Sequence, residues 1–275
     1  MSFRQVIWAW LIAGGLLLVS IVASRVIGAE APPAFHHAAI AVIGSSQSRY
    51  AVPRTGVGGT SIGNNGELFW RFGVSAISEP ETVDLANRAL DEKARFIIVE
   101  MNALIFDNDQ TAARGRCNQP ARHLLIVLKD VQLNITSSWI HFLTRDGRFD
   151  DGGEPANLSV SGSIDPAKGR HQIPSHLRGP CDMAALVRLA QRARRQGSRL
   201  ILMAPPRSAT ADRLLGIDRR HAIDRAEDLL AKDLGVPLFA PASPYPDSFF
   251  FSIGHLDQAG RARFVSELHD FLRRE

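Results

Sequence analysis

Four short apolar runs, separated by longer amphipathic or polar stretches, determine which folds this chain can adopt. In chain order they are Ala38–Ile43, Phe96–Met101, Arg199–Ala204 and Val236–Ala240. Runs of this length, bordered by glycine, proline or polar residues, are typical of buried strands. The main helical patterns between and after them lie at residues 81–93, 182–196, 219–233 and from Asp257 onwards. Alternation of strands and helices predicts an α/β domain of three layers, with a mostly parallel sheet between helices.

The composition excludes several classes of protein. The 275 residues are 45% hydrophobic and 22% charged, which is typical of a globular chain and not of a disordered one. Lysine and arginine number 32 against 28 aspartates and glutamates, and this small excess does not predict a nucleic-acid partner. The sequence has no P-loop, no glycine-rich dinucleotide turn and no histidines with metal-site spacing, so we expect neither a cofactor nor a metal.

The start of the chain has the pattern of a membrane anchor. Residues 6–23 are uncharged and would form a helix of roughly 27 Å, close to the thickness of a bilayer core. Trp8 and Trp10 lie near its start, where indoles favour the membrane interface. We therefore predict one transmembrane helix within residues 1–28. A cleaved signal peptide is the alternative, although its apolar part is normally about 7–15 residues long.

Charge and cysteine content indicate where the rest of the chain resides. Arg4 and the terminal amine outweigh Arg25, which favours a cytoplasmic N-terminus and a body outside the cytoplasm. In that compartment Cys117 and Cys181 would be able to form a disulfide, and two unrelated thiols are the alternative.

The domain boundaries follow from composition. Residues 29–37 contain two adjacent prolines and form a predicted linker. The α/β domain is predicted to span residues 38–275. An irregular insertion is expected near residues 108–180, because its second half is rich in glycine, aspartate, serine and proline.

Residues able to perform acyl chemistry lie where strands are predicted to end. In an open α/β sheet, ligands bind at the carboxyl ends of the strands. Gly44–Ser46 follows the first strand, and Asn102 follows the run that starts at Phe96. We place Gly63 at the end of a further strand. His255 precedes the last helix.

In order and spacing, these positions resemble the SGNH (GDSL-like) hydrolase family. The resemblance covers nearly all of residues 38–275 and implies an SGNH or flavodoxin-like fold. It implies Ser46 as nucleophile and His255 as catalytic base. The backbone N–H groups of Ser46 and Gly63 and the side chain of Asn102 would then form the oxyanion hole.

One position departs from the family pattern. The family has an aspartate three residues before the catalytic histidine, where this chain has Ser252. Asp247 folding back onto His255 is one account, and a dyad oriented by Ser252 or a carbonyl is another. In the third account the protein is a non-catalytic relative. We assign Asp257 to the N-terminal cap of the final helix.

The resemblance extends to membrane-tethered proteins of bacterial envelope O-acylation. It implies a serine esterase or O-acyltransferase in the bacterial inner membrane, with its domain in the periplasm. Its partners would be an acylated saccharide or envelope polymer and a membrane-bound acyltransferase. The alternative is a catalytically silent subunit that binds a glycan or accompanies such an acyltransferase.

Overall fold

A parallel sheet forms the centre of the fold. The computed structural model describes residues 38–52, 68–73, 77, 79–107, 164, 176–242 and 244–275, which all belong to one unit of the chain. The strands are β1 (Ala38–Gly44), β2 (Leu68–Gly73), β3 (Phe96–Glu100), β4 (Phe106–Asp107), β5 (His176–Leu177), β6 (Arg199–Met203), β7 (Leu238–Phe239), β8 (Phe250–Ser252) and β9 (His255–Leu256). Five of them form the parallel sheet, in the order β2-β1-β3-β6-β7.

The helices connect the strands. They are α1 (Ser46–Ala51), α2 (Glu79–Asp91), α3 (Asn102–Ile105), α4 (Met183–Arg195), α5 (Ala209–Leu215), α6 (Ile217–Leu234) and α7 (Gln258–Arg274). A 3-10 helix at Asp247–Phe249 precedes an antiparallel pair formed by β8 and β9.

Alternate side chains of the central strands enter two different cores. Ile40, Val42 and Ile98 share a buried cluster with residues of α7 such as Phe264 and Leu268. Helices α2 and α4 contact each other and the central strands. Because both faces of the sheet are covered, the interior positions of its middle strands are all apolar, as in other parallel sheets. The predicted α/β architecture with helices and a parallel sheet is confirmed.

The boundaries of the four predicted strands and four predicted helices hold to within a few residues, whereas the short elements between them were not predicted. The edge strand β2 was not predicted either, because Arg71 interrupts its apolar residues. Arg71 is nevertheless fully buried, and its Nη1 donates to the Val52 carbonyl at 2.5 Å. A long polar side chain that donates to a backbone carbonyl is therefore tolerated inside this strand.

The predicted anchor, the linker and most of the insertion lie outside the described residues. Within the described ranges, no helix combines the length and apolar character needed to cross a bilayer.

Candidate active site

The turn after β1 starts a short helix at the predicted nucleophile. Ser45 caps α1, and its Oγ accepts a hydrogen bond from the backbone N–H of Gln47 at 3.1 Å. Ser46 is the first residue of this helix. Tyr50 follows it by one turn, so the two positions share a helix face.

A buried glutamate accepts hydrogen bonds from this turn. Glu100 ends β3 and is fully buried. Its carboxylate accepts from the backbone N–H of Ser45 at 2.9 Å and from that of Ser48 at 3.0 Å. It also accepts from the hydroxyl of Ser45 at 2.5 Å and from the hydroxyl of Ser48. Four hydrogen bonds to one carboxylate fix the start of α1 relative to β3.

Glycine is required at position 44 by this arrangement. A Cβ atom on Gly44 would lie 2.7 Å from Cβ of Glu100 and would also collide with the Ser48 hydroxyl. The first residue of the Gly-Ser-Ser motif therefore allows the carboxylate to approach the turn.

Asn102 lies beside the same turn. It is half-buried at the start of α3, and its Nδ2 donates to Oε1 of Gln47. The backbone N–H of Met101 donates to the Met203 carbonyl at 2.9 Å, which fixes the strand end before Asn102. The structure thus brings Asn102 next to the helix that Ser46 begins.

His255 lies against the same helix. Its ring centroid is 4.5 Å from that of Tyr50, and it stacks on Phe251 at 5.7 Å with an interplanar angle of 13°. Nδ1 of His255 is 2.8 Å from Oγ of Ser252. The aromatic contacts and the serine together fix the plane of the imidazole.

Two further contacts hold the histidine segment in place. Nε of Arg261 in α7 donates to the Tyr50 carbonyl at 3.0 Å, which ties α7 to α1. Oδ1 of Asp257 accepts from the Gly260 N–H at 2.8 Å. The predicted role of Asp257 as the cap of the final helix is confirmed.

The structure corrects the interpretation of Asp247. Its carboxylate accepts from the backbone N–H of Thr210 at 2.8 Å and from the Thr210 hydroxyl at 2.7 Å. Arg213 lies 3.5 Å away. Asp247 is therefore bound at the start of α5, and the group observed on Nδ1 of His255 is Ser252.

Gly63, the glycine predicted for the oxyanion hole, lies outside the described residues. It precedes β2 in the chain, and the glycine at the end of β2 is Gly73, which pairs in register with Gly44. Gly73 is therefore a further glycine at a strand end beside the turn that follows β1.

Cys181 is disulfide-bonded, and Cys117, the other cysteine of the chain, lies outside the described residues. The backbone N–H groups of Cys181 and Asp182 donate to the buried Glu79 at 2.6 and 2.8 Å. Arg178 lies 3.5 Å from Glu79. These contacts attach the segment before α4 to the start of α2.

Two cavities share Pro205, Arg207 and Glu227 as lining residues. The larger, of about 240 Å³, adds Asp224 and Pro241 among other residues, and we call it the Arg207–Glu227 cavity. The smaller, of about 40 Å³, is also lined by Gln47, Asn102, Phe106, Pro206, Leu215 and Ile223. Within the described ranges, no group of three or more His, Cys, Asp or Glu side chains is arranged to hold a metal.

Glu227 is the titratable group of this cavity. Desolvation by burial raises its pKa from 4.5 to about 7, opposed by the charge of Arg207 and assisted by those of Asp224 and Asp228. The folded protein therefore holds a proton on Glu227 at pH values where the unfolded chain has released it.

Glu227→Gln is expected to stabilise the protein at pH 8 more than at pH 5. Wild-type stability falls as pH rises from about 4.5 through 7, because the unfolded chain ionises at the lower pKa. The glutamine variant escapes this loss, and the difference between the two pH values should be on the order of 2 kcal/mol. Urea unfolding followed by circular dichroism measures it, with Asp233→Asn, at an exposed position of the same helix, as control. Equal stabilisation at both pH values would contradict the raised pKa.

Sequence reasoning missed Glu100, Tyr50 and Gly73. The sequence predicted Glu100 only as the end of a strand. A carboxylate in an otherwise apolar run nevertheless indicates a buried carboxylate that has hydrogen-bond partners. Tyr50 had no motif to mark it, since its contact with His255 spans most of the chain.

Comparison with known proteins adds little to this geometry. No protein-family model matches the chain, and no curated protein matches it. Among solved structures the chain is similar to TesA, with 14% sequence identity and a TM-score of 0.39 over 86% of this chain and 98% of TesA. At that TM-score the likeness supports no inference about activity, so the function rests on the site itself.

Proposed function

We propose that this chain is an SGNH-like serine esterase or O-acyltransferase that forms an acyl-enzyme on Ser46. The observation that carries the proposal is the contact between Tyr50, one helical turn after Ser46, and the ring of His255. This contact packs the helix that Ser46 begins against the ring of the proposed base, although about two hundred residues separate Ser46 from His255. The hydrogen bond between Ser252 and Nδ1 of His255 gives that base a fixed orientation.

The first half of the reaction follows from these positions. Nδ1–H of His255 donates to Ser252, which leaves Nε2 as the basic nitrogen. Nε2 takes the hydroxyl proton of Ser46 as its oxygen attacks the ester carbonyl carbon. The tetrahedral intermediate collapses when the bond to the alcohol oxygen breaks, and His255 returns the proton to the departing alcohol.

The oxyanion hole uses groups at three strand ends. The backbone N–H groups of Ser46 and Gly73 and the amide of Asn102 are the proposed donors. Asn102 donates to Oε1 of Gln47, and the substrate oxygen would replace that oxygen as the acceptor.

Water or a sugar hydroxyl then attacks the acyl-enzyme, and His255 removes the proton of the attacking oxygen. The bond to the Ser46 oxygen breaks, and His255 returns the proton to Ser46. We propose that the substrate is an acylated saccharide or envelope polymer. The protein would act on it together with a membrane-bound acyltransferase. In this proposal residues 6–23 anchor the chain in the bacterial inner membrane and the α/β domain is periplasmic.

A catalytically silent accessory subunit is the second candidate. The hydroxyl on Nδ1 of His255 favours it, because a hydroxyl stabilises an imidazolium less than a carboxylate does. The turn held by Glu100 favours the enzyme, because it places Ser46 at the start of a fixed helix.

A fluorophosphonate probe on the full-length protein in detergent tests the choice. We expect covalent labelling in the wild type and none in Ser46→Ala. Ser266→Ala, which removes an exposed hydroxyl from α7, should label like the wild type. If the wild type remains unlabelled between pH 6 and 9, the enzyme proposal fails and the accessory subunit is favoured.

Ser252→Asp is expected to raise turnover of p-nitrophenyl acetate by roughly 10- to 100-fold. Ser252 lies 2.8 Å from Nδ1, and a carboxylate there would stabilise the imidazolium formed during attack. The same carboxylate should raise the pKa of His255 and move the acidic limb of the pH–rate profile upward. Measured kcat against pH provides both readouts.

Asp247→Asn is the matched comparison for Ser252→Asp. It should destabilise α5 by about 1 kcal/mol, because Asp247 accepts from Thr210 there, and leave kcat unchanged. If Asp247→Asn lowers kcat and Ser252→Asp does not raise it, Asp247 orients the histidine after all.

A further inference from the structure

The Arg207–Glu227 cavity contains a carboxyl group that the proposed chemistry does not use. Glu227 is only 4% exposed, yet it lines both this cavity and the smaller one beside it. No described residue forms a hydrogen bond with its carboxyl group. Because the carboxyl group borders the cavity, a ligand there could form hydrogen bonds with it.

Arg207 presents a donor next to this acceptor. Its Nε donates to Asp212 at 2.9 Å and its Nη2 to Asp224 at 2.8 Å. These two bonds fix the guanidinium plane, and among the described residues none accepts from Nη1. The cavity therefore offers one preoriented donor and one acceptor.

The balance of charge favours a neutral ligand. Arg220 lies 3.4 Å from Asp212, so two guanidinium groups and two aspartates offset each other around Arg207. An anionic ligand would be repelled by Asp224 and by ionised Glu227, whereas a cation would be repelled by Arg207. A hydroxyl group both donates and accepts, so it suits Glu227 in either protonation state.

We propose that this cavity binds a hydroxyl-bearing, uncharged sugar unit, with Glu227 and Arg207 as its hydrogen-bonding residues. The smaller cavity, which shares Arg207 and Glu227 with it, is lined by Gln47 of the helix that Ser46 begins and by Asn102 beside that helix. Pro205 and Pro241 give the Arg207–Glu227 cavity apolar walls, which suit the C–H faces of a sugar ring. This proposal rests on the proposed function: the sugar in the cavity would carry the alcohol oxygen of the ester that Ser46 attacks.

Ligand-observed saturation-transfer NMR on the full-length protein in detergent tests the assignment. The probes are methyl glucoside, its anionic analogue methyl glucuronide and the cationic glucosamine. We expect saturable binding of methyl glucoside that is several-fold tighter than that of either charged probe. Glu227→Leu should weaken this binding about 10-fold, the effect of losing one buried hydrogen bond.

Matched variants separate binding from folding. Glu227→Gln keeps a donor and an acceptor and should bind methyl glucoside within about threefold of the wild type. Asp228→Asn changes an exposed carboxylate on the same helix and should have no effect. Circular dichroism checks that each variant is folded. The assignment fails if the wild type shows no saturable binding of methyl glucoside, or if it binds a charged probe more tightly. It also fails if Glu227→Leu is folded and binds methyl glucoside as tightly as the wild type.

Failure of the cavity assignment and failure of the proposed function give different results. Ser46→Ala should bind methyl glucoside like the wild type while it loses fluorophosphonate labelling. Binding that depends on Glu227 in a protein that never labels would retain the sugar site and reject the esterase. Labelling at Ser46 without saturable methyl glucoside binding would retain the esterase and reject the sugar site.

Discussion

Replacing His255 with phenylalanine is expected to lower turnover of p-nitrophenyl acetate by about 10³- to 10⁴-fold. Phenylalanine keeps a ring that packs against Tyr50 and Phe251, so the β8–β9 segment should retain its structure. The loss then reports the missing base. Steady-state kcat/KM of the full-length protein, compared with its circular dichroism spectrum, measures it.

The double variant Ser46→Ala/His255→Phe gives the sharper test. If the two residues act as one unit, the double variant should be no slower than the slower single variant. Multiplicative losses would mean that the residues act independently. Turnover of His255→Phe within threefold of the wild type would exclude His255 as the base.

The fold was predictable because hydrophobic burial leaves a local signature. Strands such as Ala38–Gly44 and Phe96–Glu100 are covered on both faces, so every residue in their middle is apolar. Strand Leu68–Gly73 was not predicted, because its buried Arg71 donates to the carbonyl of Val52, which precedes the strand by more than a dozen residues. Patterns along the chain do not encode such a partner.

The candidate site was predictable only where its chemistry follows a strand or precedes a helix. Ser46, Asn102 and His255 meet that condition, and the structure places all three around one short helix. The sequence left the partner of His255 open among Asp247, Ser252 and a backbone carbonyl. In the structure Asp247 binds Thr210 and Ser252 lies on Nδ1 of His255, and both contacts depend on tertiary packing.

Glu100→Gln is expected to destabilise the fold by about 3–5 kcal/mol and to lower kcat/KM by about 100-fold. The carboxylate accepts from the backbone N–H groups of Ser45 and Ser48 and from both of their hydroxyls. A glutamine has a single acceptor oxygen, and its amide would face donors with another donor. The start of α1 should then shift and take Ser46 out of line with the base.

Glu79→Gln is the control that separates position from stability. Glu79 is also buried, and it accepts two backbone N–H groups, those of Cys181 and Asp182, on a different part of the fold. Its glutamine variant should lose a comparable amount of stability, measured by urea unfolding, and keep kcat/KM within about threefold because Ser46 is not attached to it. Equal losses of activity in both variants would show that global stability limits turnover. A selective loss in Glu100→Gln would identify this carboxylate as the residue that positions the nucleophile.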